Sequence, residues 1–90
     1  MRVRIRLNAS LRDYANCKDI LEVSGNTVME CLKDLVKRYP SIEQWLFDKK
    51  GSLQVLVSIN GMEILSKSES LNRGVRDGDE LSVFLIFSGG

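Results

Sequence analysis

The sequence predicts an α+β domain: a small mixed sheet with one amphipathic helix packed on one face. Three observations predict it. Apolar and polar residues alternate with period two near both ends of the chain, at 2–7 and 80–87. A single stretch, 28–39, keeps a helical period. Between them, Asn60-Gly61 interrupts another alternating region as a tight hairpin turn would.

Each element follows in chain order. Residues 2–7 put Arg2, Arg4 and Arg6 on one side of a strand and Val3, Ile5 and Leu7 on the other. Asn8 to Asn16 reads as a loop, with Leu11 and Tyr14 as inward anchors. Ile20 to Val23 is a second short strand, bounded by Asp19 and by Ser24-Gly25-Asn26, and it pairs with the first as a hairpin. Thr27-Val28-Met29-Glu30 fits a capping box, with threonine at the N-cap and glutamate three residues on. Val28, Cys31, Leu32, Leu35, Val36 and Tyr39 then recur on one helical face, and Pro40 stops the helix at or before Tyr39. Lys37 and Arg38 suit the negative end of the helix dipole.

Ser41-Ile42-Glu43-Gln44 repeats the capping pattern, so Ile42, Trp45 and Leu46 make a short second helix or turn. Residues 53–59 alternate with Leu53, Val55, Val57 and Ile59 inward, and Met62 to Leu65 returns after Asn60-Gly61. A polar stretch, Ser66 to Ser70, leads to Leu71 and Val75. Asp77-Gly78-Asp79 turns into the last strand, Glu80 to Phe87. That strand has Leu81, Val83, Leu85 and Phe87 on one face and Ser82, Phe84 and Ile86 on the other. The order is β-β-α-β-β-β, with no second long helix to cover the sheet's other face.

Composition then bounds function. Ninety residues make one domain, 1–90, which buries about 60–70% of its unfolded surface. With no histidine, there is no Ser-His-Asp or Cys-His couple and no imidazole metal ligand. A formal charge of +1 gives no bulk pull towards nucleic acid or membrane. Cys17 and Cys31 are too far apart for a CxxC motif; Cys31 falls on the helix's buried face and Cys17 in a turn-like segment. No run is long enough to span a bilayer, so the chain is expected in the reduced cytoplasm.

Candidates for chemistry are few. Asp77, Asp79 and Glu80 cluster in a tight turn and are too few for a metal site, and no glycine-rich phosphate loop exists. The row of Arg2, Arg4 and Arg6 reads as a solvated strand face or, better than a nucleic-acid site, as a protein-docking rim. If first and last strands are neighbours, those arginines stand beside Phe84 and Ile86, two large apolar side chains on a face expected to be wet. The sharpest feature is Phe87-Ser88-Gly89-Gly90, where residues 88–90 read as a diglycine tail. Lacking Cβ atoms, Gly89 and Gly90 can thread a narrow channel and leave a carboxylate open on all sides.

The element order, Asn60-Gly61, the Asp77-Gly78-Asp79-Glu80-Leu81 turn and Gly89-Gly90 together resemble the ubiquitin-like sulfur carriers of the MoaD/ThiS family. The length and the helix ending at Tyr39-Pro40 are most similar to its molybdopterin synthase small-subunit branch (MoaD, molybdopterin converting factor subunit 1). The resemblance implies a β-grasp fold of about five strands wrapped on one long helix. It implies that an E1-like adenylyltransferase of the MoaB/MoeB/ThiF type adenylates Gly90, with ATP consumed by that partner and no cofactor held by the chain. A sulfur donor then makes a thiocarboxylate, which a large catalytic subunit of the MoaE type uses to form the molybdopterin dithiolene. Gly90 takes the reactive position, and Gly89 and Ser88 the threading positions. Phe84, Ile86 and Phe87, with Arg2, Arg4 and Arg6, are the expected partner contacts. Family members commonly place proline before the diglycine, where this chain reads Leu85-Ile86-Phe87-Ser88. Thiamine or cysteine synthesis, or conjugation to lysine amines as a modifier, therefore stay open as alternatives.

Overall fold

Two hairpins and one late strand build the sheet. In the computed structural model, which describes residues 1–15, 19–65 and 67–85, β1 (Arg2–Leu7) pairs antiparallel with β2 (Ile20–Ser24). β3 (Val55–Ile59) pairs antiparallel with β4 (Glu63–Leu65). β5 (Glu80–Leu85) runs between the hairpins, parallel to β1 and antiparallel to β3, giving the order β2-β1-β5-β3-β4. First and last strands are thus neighbours, as expected. Val3, Ile5 and Leu7 are buried while Arg2, Arg4 and Arg6 are exposed, so the period-two reading of β1 holds.

The helix α2 (Val28–Arg38) covers the buried face through Val28, Cys31, Leu32 and Leu35. Thr27 caps it, its Oγ1 accepting the Glu30 N–H at 3.1 Å. Glu30 reaches back one residue further than a capping box requires, accepting the Asn26 N–H at 2.9 Å. At 11 residues α2 is of ordinary length, and its apolar face, not its size, makes it the sheet's cover. Asp34 ties it to the sheet edge: its Oδ2 accepts the Ser24 N–H and the Arg38 Nε–H, each at 2.9 Å.

Two segments expected to be loop or polar linker are helical. Residues 9–12 form α1 (Ala9–Arg12), and a 3-10 turn follows over Asp13–Ala15; Leu11 is fully buried and Tyr14 packs on the core. Residues 67–72 form α4 (Lys67–Asn72), whose Ser70 is buried. Each spans at most about two turns, too short for a 3.6-residue period to show in sequence. The region after Pro40 is a 3-10 turn, Pro40–Ile42, then α3 (Glu43–Leu46), with Ile42 and Leu46 buried. Ser41 is not the cap there; Ile42 holds that position without a side-chain bond.

The turns set the strand register. β3 starts at Val55, and Leu53 instead bridges to Phe47. Asn60 (φ 52°) and Gly61 (φ 69°) both have positive φ, as a type I′ turn demands. At the other turn Gly78 (φ 88°) lets Asp79 Oδ2 accept the Arg76 N–H at 2.8 Å. Asp77 Oδ1 accepts the Arg2 N–H at 2.7 Å, and the Gly78 N–H reaches the Arg2 carbonyl at 3.0 Å. The aspartates do turn work, and they fix where β5 begins against β1. Cys17, Ile86, Phe87, Ser88, Gly89 and Gly90 lie outside the described residues.

Candidate partner-binding site

The uncovered face of the sheet is built by cross-strand rows. One row crosses all five strands: Ile20, Arg6, Ser82, Ser58 and Ile64 stand opposite one another in turn. Beside it Phe84 of β5 faces Leu56 of β3. Ser58 is only 6% exposed although it belongs to the outer face, because its short side chain lies low between bulkier neighbours. Around that serine floor Leu56 (36%), Phe84 (43%) and Ile64 (68%) stay exposed, and Met62 (90%) stands at the hairpin tip. The result is a shallow dish with a small polar floor and apolar walls. Large exposed apolar side chains that adjoin on one face mark an interaction surface.

The arginines occupy the other half. Strand adjacency is as expected, but the register places Arg4 opposite Glu80 and Arg6 opposite Ser82, so only Arg6 is diagonal to Phe84. Arg2 sits at the far end, bound through its backbone to the Asp77-Gly78 turn. That turn sets the register, and sequence alone does not disclose it. Nor is the row bare positive charge: Arg6 reaches Glu80 at 3.6 Å, and Arg4 has Glu22 across on β2. The rim is charged with both signs.

Phe84 is therefore where the sequence placed it, exposed beside the rim. Leu56, Ile64 and Met62 are additions that sequence reasoning missed. Their only signal was that each occupies the outward phase of a strand or a hairpin tip. The expected contacts Ile86 and Phe87, the threading positions Ser88 and Gly89 and the reactive Gly90 are not among the described residues.

Other chemistry is sparse. Cys31 is buried in the core, and desolvation pushes its thiol up to about 11, against a nucleophilic role. Among the described residues no group of three or more His, Cys, Asp or Glu side chains could hold a metal ion. No helix among them is long and apolar enough to cross a membrane.

Comparison with known proteins adds context to this geometry. A family model described as the ThiS family matches residues 5–90. The structure is similar to the crystal structure of SAMP1 from Haloferax volcanii, with 29% sequence identity, all of both chains covered and a TM-score of 0.83. It is similar to a chain of the Amycolatopsis orientalis BexX/CysO complex, with 28% identity, 98% of this chain and 99% of that one covered, and a TM-score of 0.82. It shares its fold with a chain of the complex of subunits 1 and 2 of the molybdopterin-converting factor from Helicobacter pylori, at 20% identity, full coverage of both and a TM-score of 0.64. No curated protein sequence matches the chain significantly.

Proposed function

The chain belongs to the ThiS family, and from that premise we propose that it carries sulfur as a thiocarboxylate on Gly90. Its fold is that of the ubiquitin-like sulfur carriers. The observation that carries the reading is the pairing of this fold with Gly89-Gly90 a few residues beyond β5, the sheet's central strand. On this reading the nucleophile and the base come from partners. The chain's part is to hold a carboxylate out for partners that have them.

In the first step an E1-like adenylyltransferase joins a Gly90 carboxylate oxygen to the α-phosphorus of ATP, releasing pyrophosphate. In the second, hydrosulfide attacks the acyl carbon; a C–S bond forms, the C–O bond to AMP breaks, and AMP departs. Glycine at both of the last positions suits this, because no Cβ obstructs either approach. The dish of Leu56, Ile64 and Phe84 docks the partner and the mixed-charge rim sets its orientation. As acceptor we propose the molybdopterin precursor, handed over in a large subunit of the MoaE type. A second reading, conjugation to lysine amines, is favoured by the 29% identity to a small archaeal modifier protein.

Intact-mass measurement after incubation with the activating enzyme, ATP and sulfide tests the carrier step. One oxygen should exchange for one sulfur, and deleting Gly90 should abolish the exchange. No exchange in the full chain overturns the proposal. Dithiolene formation with the large subunit, against a ladder of isopeptide-linked adducts, separates the two acceptors.

A further inference from the structure

On the helix side, away from the dish, a groove of about 960 Å³ runs between α2 and the segment 43–54. Its apolar lining is Val36 and Phe47, both packed against the core. Lys33 and Lys37, one turn apart on α2, stand on one side, and Lys49 stands on the other. None of these lysines makes an ion pair within 4 Å with a described residue. Two carboxylates also line the groove, Glu43 and Asp48. Asp48 is committed to its own turn: Oδ1 accepts the Lys50 and Ser52 N–H groups, each at 2.9 Å. Three lysines thus outnumber two carboxylates, of which Glu43 alone is free of its own turn.

The groove's far wall is braced. Gln54 donates from Nε2 to the Gln44 carbonyl at 2.7 Å and to the Phe47 carbonyl at 3.3 Å, and its backbone N–H reaches Leu46 at 2.8 Å. A preformed apolar slot loses little entropy on binding.

We propose that this groove is a second docking site, one that takes an acidic segment of a partner protein carrying a large apolar side chain. The apolar side chain seats on Val36 and Phe47, while carboxylates on either side of it meet Lys33, Lys37 and Lys49. The charge complementarity selects an acidic occupant over a neutral or basic one. Because the groove and the dish lie on opposite sides, both can be filled at once. The groove also reaches the sheet end where the chain leaves β5, since Gln54 precedes Val55, which pairs with Leu85. One protein can therefore hold the sheet while another stands beside that exit. This goes beyond the carrier reading and does not depend on it.

The test is an NMR titration of the labelled full chain with the peptide acetyl-Glu-Asp-Phe-Leu-Glu-Glu-amide at low salt. Amide shifts are expected along α2 and 43–54, with the sheet face silent. The paired change Lys33→Glu and Lys37→Glu, at exposed positions, should weaken binding at least about tenfold. Phe84→Asp should leave it unchanged, and Glu43→Gln should tighten it. Shifts centred on Arg2, Arg4 and Arg6, equal binding of a peptide whose acids are replaced by lysine, or no shifts at millimolar peptide each overturn the proposal. Unperturbed β1 and β5 amides in the paired variant show that its fold is intact.

Discussion

Asn60 fixes the hairpin tip in two independent ways, and substitution can separate them. Its backbone holds φ at 52°, a region that costs a residue with an ordinary side chain about 1–2 kcal/mol and that asparagine tolerates. Its side chain spans to the start of β5, with Oδ1 accepting the Glu80 N–H at 2.9 Å and Nδ2 donating to Asp79 Oδ1 at 3.2 Å. Hydrogen bonds of this kind contribute about 0.5–1.5 kcal/mol each in net terms, and exposure puts these towards the lower end. Asn60→Gly keeps the φ and loses the bonds, so about 1–2 kcal/mol should go. Asn60→Ala loses both, and about 2–4 kcal/mol should go. For a domain of this size the alanine variant should melt roughly 8–30 °C lower. Urea unfolding followed by circular dichroism, with the slope m unchanged, gives the difference directly. If the glycine and alanine variants are equally stable, the left-handed backbone is not a constraint. If both match the parent, the bridge to β5 contributes nothing and the reasoning fails.

Three further outcomes are expected. Phe84→Asp should leave the circular dichroism spectrum native while abolishing capture by the proposed activating enzyme; unfolding instead would mean that the outer face had been misassigned. Asp34 is held below the usual aspartate range chiefly by the Ser24 N–H, with Arg38 helping against partial desolvation. A depressed folded-state pKa gives stability that is present above the unfolded value, about 3.9, and is lost as pH falls through the folded one. Asp34→Asn should therefore cost stability at pH 7 and flatten the acid limb below about pH 4, as read by chemical denaturation across pH. At Gly25 an added Cβ would lie 2.8 Å from the Cys31 backbone nitrogen and 2.9 Å from Glu30 Cβ. Gly25→Ala should thus cost about 1–3 kcal/mol in a thermal melt, and an unchanged melting temperature would show that the β2–α2 connection yields freely.

What was legible in the sequence was whatever carries a local period or a local turn. β1 announced itself through Arg2, Arg4 and Arg6 against Val3, Ile5 and Leu7, and α2 through the Thr27 cap and its apolar stripe. The hairpin was legible because Asn60-Gly61 supplies two positive-φ residues in a row. α1 and α4 were not, since four and six residues cannot display a helical repeat. The docking face was half legible. Outward phase identified Phe84, but joining Phe84 to Leu56 and Ser58 to Ile64 needs the registers of two strand pairs. The second register is local to the turn at 60–61, but the first joins residues 28 apart, so no short window of sequence contains it. The groove beside α2 was hidden for the same reason: it forms only where the α3 segment folds back along the helix.

The position of β5 has a consequence for synthesis. The strand that joins the two halves of the sheet is made after the other four, and it must enter between β1 and β3. Until Glu80 to Leu85 have emerged, the nascent chain holds two separate hairpins, each marginal alone in water. A product truncated before Glu80 would lack both a closed sheet and everything downstream of it. β5 is thus a strand that can pair on both edges only once both hairpins have been made. A partner that reads the face shared by β3 and β5 therefore meets only chains whose sheet has joined.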